Sequence, residues 1–185
     1  MKIKNIIEVL IHSSPNPISS KDIIHSVKEK DFINLPKIIE EINKEYKNLD
    51  KGYRIEKIGG GYQLLSISDY HHYIERLQQE TKKPRFSRAA IETLSIIAYK
   101  QPLTRGEIEH IRGVDSSGVI KNLLEKDLIF IKGRDQGLGR ALLYVTTPIF
   151  LELFGLDTLG DLPTLEELTQ LVNDGSNSTK NENEN

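Results

Sequence analysis

Twice along the chain, helix-spaced apolar residues give way to strand-like alternation around a glycine turn, and few folds accommodate that double change of period. In the first passage Ile3, Ile6, Ile7, Leu10 and Ile11 fall on one side of a helix ending near His12. Ser13-Ser14-Pro15-Asn16-Pro17 is turn chemistry. Ser19 or Ser20 then caps a second helix with Ile23, Ile24 and Val27 inward. A third helix begins near Leu35, with Pro36 in its first turn and Ile38, Ile39, Ile42 and Tyr46 as its stripe. The period now falls to two: Tyr53 and Ile55 alternate with Arg54 and Glu56, Gly59-Gly60-Gly61 turns the chain, and Tyr62 to Ile67 returns as a second strand. Three helices closed by a hairpin describe a winged helix. Asp69 caps one more helix, with Tyr70, Tyr73, Ile74 and Leu77 along one side.

The same order then restarts. Ser87 caps a helix with Ala90, Ile91, Leu94, Ile97 and Ala98 inward, and Gln101-Pro102 breaks it. Thr104-Arg105-Gly106-Glu107 is a capping box opening a helix with Ile108 and Ile111 as core positions, and Gly113 ends it. Asp115 is placed to cap a third helix whose apolar side is Val119, Ile120, Leu123, Leu124 and Leu128. Ile129–Ile131 and Leu142–Val145 read as strands around a loop from Gly133 to Arg140, and Thr147-Pro148 starts a short helix, Ile149 to Phe154, closed by Gly155. The repeat length is about 85 residues, and one bulky domain would not restart its pattern at a linker. The predicted fold class is therefore mainly α with small β-hairpins (α+β), built as two tandem winged-helix domains. The first is expected over residues 1–81, a linker over 82–86 and the second over 87–163. A helix over 164–172 opens on the Thr164–Glu167 capping box, and 173–185, without an apolar residue, reads as a disordered tail.

Composition removes several classes of function. The 185 residues include no Cys, so disulfides, thiolate nucleophiles and Cys-based zinc sites are excluded. No apolar run approaches the ~18 residues of a membrane helix. Lys2, Lys4 and the stretch Asn5–Ile11 imitate a signal peptide, but Glu8 interrupts it and no small-residue cleavage site follows. A soluble, cytoplasmic protein without membrane contact is expected. The histidines (His12, His25, His71, His72, His110) lack i, i+4 ligand spacing, and His71 and His72 point about 100° apart on a helix. Both glycine loops lie between strands, with no helix N-terminus behind them to cradle a phosphate. No catalytic residue, metal or cofactor is predicted, and the chain reads as a non-enzyme.

The net charge of −2 divides unevenly: residues 1–81 balance to zero, 82–140 carry +5 and 141–185 carry −7. A winged helix raises the possibility of DNA reading through its third helix. Here the first such helix mixes Lys37, Lys44 and Lys47 with Glu40, Glu41 and Glu45, and the second sets Lys121 and Lys126 against Asp115, Glu125 and Asp127. Neither holds an Arg, the commonest base-reading side chain, and the carboxylates oppose phosphate. A DNA-binding transcription regulator is the competing class, though at most weak, non-specific DNA contact is expected. The basic surplus around the linker (Lys82, Lys83, Arg85, Arg88) and the second wing (Lys132, Arg134, Arg140) fits weak phosphate contact, an acidic partner or a solvated surface balanced by the acidic C-terminal segment.

Apolar excess is the other clue. The segment Ile149–Leu156 is apolar around nearly its whole circumference, and the first helix packs six aliphatics into Ile3–Ile11. For both, burial in the core and contact with another chain remain open readings.

In the second half the string becomes distinctive. Arg88-Ala-Ala-Ile-Glu-Thr-Leu-Ser-Ile-Ile-Ala-Tyr-Lys-Gln-Pro102, Glu109-His-Ile-Arg-Gly113, Leu142-Leu-Tyr-Val-Thr-Thr147, Phe150-Leu-Glu-Leu-Phe-Gly-Leu156 and Asp161-Leu-Pro163 together resemble the segregation and condensation protein B family. In residues 1–86 the resemblance rests on Ile7-Glu-Val-Leu10, Pro17-Ile-Ser19 and the element order. It implies a homodimer formed through the N-terminal winged helices. It further implies binding to the kleisin subunit (segregation and condensation protein A) and, through it, to the SMC ATPase in the complex that condenses and segregates chromosomes, with nucleoid association as the expected location. Dimer candidates are Ile3, Ile6, Ile7 and Leu10; candidates for the kleisin groove or its frame are Tyr99, Arg105, Arg112, Arg140, Tyr144, Phe150 and Phe154. Core closure by Tyr99 and helix capping by Arg112 are equally open. The family commonly has Pro after Gly-Arg in the second wing; Ala141 stands there in this chain, which relaxes φ at the strand start.

Overall fold

The computed structural model describes residues 2–27, 33–78, 86–137, 139–164 and 166–170. Apolar residues that recur at helical spacing close on two separate cores, one in each half of the chain. In the first half α1 (Ile3–Ser13) buries Ile7 and Ile11, one turn apart. A two-residue strand β1 (Ile18–Ser19) leads into α2 (Ser20–Val27), whose start is held by Ser19: its Oγ accepts from the Asp22 N–H at 3.2 Å and donates to the Asp22 carboxylate at 2.6 Å. Helix α3 (Leu35–Asn48) is capped by Asn34, which accepts from Lys37 N at 3.2 Å, and Pro36 sits in its first turn. Strands β2 (Tyr53–Ile58) and β3 (Gly61–Ser66) form the wing, and the sheet order is β1-β3-β2, all antiparallel. Asn43 fastens α3 to this sheet: its amide donates to Ile55 O and accepts from Ile55 N, both at 2.8 Å. A short 3₁₀ turn, Ser68–Tyr70, then passes into α4 (His71–Gln78).

The second half repeats the plan. Ser87 caps α5 (Arg88–Lys100), accepting from Ala90 N at 3.2 Å, and strand β4 (Leu103–Thr104) leads into α6 (Arg105–Arg112). The reciprocal Thr104–Glu107 capping box is complete, and Gly113 closes α6 in the left-handed conformation at φ 71°. Helix α7 (Ser117–Glu125), the wing β5 (Ile129–Arg134) with β6 (Leu142–Thr146), and α8 (Pro148–Phe154) follow; the sheet order is β4-β6-β5. Here Gln101 plays the fastening part, its amide oxygen accepting from Thr146 N at 2.7 Å. Leu94, Ile97, Ile108, Leu123 and Ile129 are the best-enclosed aliphatics of this core, and full burial of each contributes about 1.5–3 kcal/mol. The fold is α+β, with two winged helices in tandem.

Several details differ from the sequence reading. Strands β1 and β4 are too short for a period to be visible, yet each adds a third strand to its wing. The core-facing arcs are narrower than the apolar pattern: Ile24, Ile91 and Ile111 are exposed, because Ile23, Leu94 and Ile108 already fill the inward positions of their helices. Thr93, off the apolar pattern, is wholly buried and donates to Ala89 O at 2.7 Å. The N-cap position of α7 is Ser116, one residue after Asp115, and its side chain makes no capping bond; Ser116 is fully enclosed, while Asp115 accepts from the Ser117 hydroxyl. Helix α4 buries none of its residues, and Tyr70, Tyr73 and Leu77 stand exposed. Phe86, at the end of the expected linker, packs against the second core. The remainder of that linker, residues 171 and 172 of the terminal helix, and the 173–185 tail lie outside the described residues. Among the described residues no helix is long and apolar enough to cross a membrane.

Candidate partner-binding surface

Helix α8 brings chemistry to the surface of the second winged helix. Thr147 starts it, with Oγ1 accepting from Phe150 N at 3.2 Å and donating to Asp127 O at 2.5 Å, and Gly155 ends it at φ 71°. Seven residues make two turns, so the helix has an inner and an outer side. Phe150 is the inner anchor, buried in the core, and Leu151 packs beside it. Ile149 and Leu153, four residues apart, are half-exposed on one outer ridge, and Phe154 is half-exposed with its ring centroid 4.9 Å from that of Phe150. One aromatic is therefore fixed by the core and supports a second that reaches outward. After the helix, the Thr158–Asp161 capping box shapes the chain: Asp161 accepts from the N–H groups of Thr158 (2.7 Å) and Asp157 (3.1 Å), and these bonds, Thr158 foremost, hold its carboxyl below the ordinary range.

The other residues singled out in the sequence take different positions. Tyr99 is partly exposed, and its hydroxyl donates to Pro163 O at 2.7 Å, joining the end of α5 to the segment that follows α8. Tyr144 is buried, at the centre of its sheet between Leu103 and Ile131. Arg140 lies exposed in the second wing at φ 44°, with its carbonyl accepting from Arg134 at 3.1 Å. Arg105 and Arg112 meet in one polar network. Arg105 Nε is 3.6 Å from Glu109, Glu109 accepts from Ser116 N at 3.2 Å, and Arg112 donates to Ser116 Oγ at 2.8 Å and to Glu92 at 3.2 Å. With its side chain only 5% exposed, Arg112 is a strut between α5, α6 and the cap of α7, whereas Arg105 remains at the surface. In the first half Ile7 is completely enclosed; Ile3, Ile6 and Leu10 pack against the core from its margin. Among the described residues no group of three His, Asp or Glu is placed to hold a metal ion.

Residues 5–165 match the family model described as Segregation and condensation complex subunit ScpB. The chain belongs to the ScpB family. Segregation and condensation protein B of Syntrophotalea carbinolica is 40% identical over 172 residues, covering 93% of this chain and 86% of the relative. The Brevibacillus brevis protein of the same name is 44% identical over 165 residues, covering 88% and 84%. A crystal structure of ScpB from Mycobacterium tuberculosis aligns with 83% of this chain and 95% of its own at 27% identity and a TM-score of 0.39. A conserved hypothetical protein from Chlorobium tepidum aligns over 83% and 96%, at 34% identity and a TM-score of 0.41. ScpB membership gives the chain a role in the segregation and condensation complex, the SMC complex of chromosome partition and condensation. The matched span includes the N-terminal half, where distinctive motifs were few.

Some surface features of this ScpB chain were missed in the sequence reading. Val9 is 65% exposed on α1, turned away from Ile7 and Ile11, and its offset of two positions from each was the available signal. Ile149 and Leu153 were visible only as part of a helix apolar all round; their i, i+4 spacing marks the ridge.

Proposed function

We propose that this chain is a non-enzymatic, homodimeric scaffold that binds the kleisin subunit of the SMC complex and acts in the cytoplasm at the nucleoid. The observation that carries the kleisin reading is the outer side of α8: Ile149, Leu153 and Phe154 exposed around an aromatic anchor that the core fixes. Exposed apolar side chains on a rigid helix suit an amphipathic partner segment, which gains burial without ordering the receptor. Tyr99 and Arg105 are proposed to frame this surface, and Arg140 to extend it along the second wing. Tyr144, Phe150 and Arg112 act from beneath, as supports of the surface. Gel filtration of the full chain with the central segment of the kleisin tests the reading: co-elution at micromolar concentration is expected, and separate elution would remove it.

For the dimer, the support is α1. Val9 faces outward, and Ile3, Ile6 and Leu10 flank the core with part of their surface still accessible. Ile7, fully enclosed, contributes through the core. Val9→Glu adds a charge at an exposed position and is expected to shift the mass toward monomer without unfolding the domain. An unchanged dimer would move the interface elsewhere.

The DNA-reading alternative draws less support. On α7 the cation Lys121 has Glu125 one turn away at 3.9 Å, which offsets its attraction for phosphate. Tight, salt-sensitive binding of a preferred duplex by the isolated chain would favour that alternative; weak retention at low salt only is expected.

A further inference from the structure

The turn of the first wing touches the second winged helix just after α8. Gly59, in the turn between β2 and β3, donates its N–H to the Leu156 carbonyl at 2.9 Å. Two residues earlier, Lys57 Nζ lies 2.7 Å from Asp157 Oδ2. Both acceptors are presented by the end of α8. The Leu156 N–H returns to Leu151 O at 2.8 Å, closing the helix, and the Asp157 N–H is held by Asp161 at 3.1 Å. The wing thus meets a preformed edge, not a loose loop. Gly59 has φ 60°, a conformation that L side chains rarely adopt, and the turn lies close to the Pro148 carbonyl and Glu152. Asp157 Oδ1 is buried without a hydrogen-bond partner among the described residues, so Lys57 is the cation that offsets this carboxylate. The hydrogen bond and charge of Asp157 raise the Lys57 pKa above its ordinary value. Beside the contact lies a cleft of about 660 Å³, lined by Asn16, Pro17 and Gly59 from the first half and by Ile149, Glu152 and Leu153 from α8.

We infer that this contact is a reversible clasp, in which the first wing holds the two winged helices in one relation and its release opens the cleft against α8. The tip of this wing and its lysine are both engaged within the chain. One backbone hydrogen bond and one half-exposed ion pair are enough to favour the closed arrangement but too little to make it permanent. Salt weakens the ion pair, so the closed share falls as ionic strength rises. The clasp rests on contacts within this chain and is independent of which partner the chain binds.

The absence of Cys makes the test direct. Asn48→Cys and Lys121→Cys, both exposed positions, one in each half, accept spin labels, and labelled full chain diluted with unlabelled chain reports the distance within one molecule by pulsed electron resonance. The parent is expected to give one narrow distance at low salt. Lys57→Glu and Asp157→Lys should each broaden it, with the open share rising about three- to tenfold, and the double exchange K57E/D157K should restore it. Far-UV circular dichroism identifies any variant that fails to fold, and Lys57→Gln, which removes charge without reversing it, then takes its place with broadening again expected. A broad distribution in the parent at low salt overturns the clasp. So does a distribution unchanged by the single substitutions, or a double exchange that leaves it broad.

Discussion

Arg112 carries a full charge into a nearly closed space, and its partners show why it is tolerated there. Two of its nitrogens reach Ser116 and Glu92, its side chain is only 5% exposed, and its Nε is buried without a hydrogen-bond partner among the described residues. Arg112→Ala is expected to cost about 1–3 kcal/mol, since it removes packing and leaves the fully buried Ser116 short of a donor. Arg112→Lys should recover only part of this, because one ammonium cannot reproduce the planar fork. Urea unfolding midpoints check both, and a loss well below 1 kcal/mol for the alanine variant would contradict the role. Tyr46 poses a different case: its hydroxyl donates to Glu8 at 2.8 Å, and burial, with the Glu8 bond second, pushes its pKa well above the ordinary value of about 10. The folded state keeps this proton where the unfolded chain has lost it, so the contribution is complete below about pH 10 and declines as pH rises beyond it. Tyr46→Phe should therefore be less stable than the parent by about 1 kcal/mol at pH 7, with the difference shrinking between pH 10 and 11 in urea titrations. A difference that is constant with pH would contradict this.

Among the elements, the helix starts were the most legible features, because a cap is a local chemical event. Ser87, Thr104 and Thr147 stand in the structure as the sequence places them. Asp115 does not, since burial of Ser116 against Glu109 and Arg112 is a tertiary event that no local pattern encodes. Strands β1 and β4 escaped notice for a related reason: two residues carry no period, and the pairing partner lies about 40 residues away. For α4 the spacing predicts one apolar side, but no core among the described residues receives it. Thr104→Ala gives a measure of the capping box. A loss of about 1 kcal/mol is expected at neutral pH. The Glu107 carboxyl is held below its ordinary range, first by the Thr104 N–H and then by its hydroxyl, so the box is complete above the ordinary pKa and lost as pH falls through the lowered value. The gap between Thr104→Ala and the parent should accordingly narrow on acidification, as melting curves at pH 7 and pH 3 would show.

At the scale of the whole molecule, the repeated element order was readable in the sequence, whereas the surfaces it creates were not. Phe150 and Phe154 are chemically alike in the string, yet one is a core anchor and the other half-exposed, because only the packing of α8 separates its inner and outer sides. Val9 and Leu77, at 65% and 83% exposure, are the same lesson in the first half: apolar residues outside a stripe become candidates for contact once the core is known to be complete without them. The −7 balance of the C-terminal segment, so prominent in the sequence, supplies the carboxylate of one ion pair between the halves, Lys57 with Asp157, whose cation comes from the neutral first third and not from the basic one.

The most direct test of the scaffold account is a binding titration of the kleisin's central segment against the full chain and its Leu153→Glu variant, which places a charge on the outer ridge of α8 while leaving Phe150 in the core. The account predicts binding at micromolar concentration by the parent and about a tenfold or greater loss in the variant, with unchanged melting. Undiminished binding by a folded Leu153→Glu chain would contradict it, as would absence of binding by the parent.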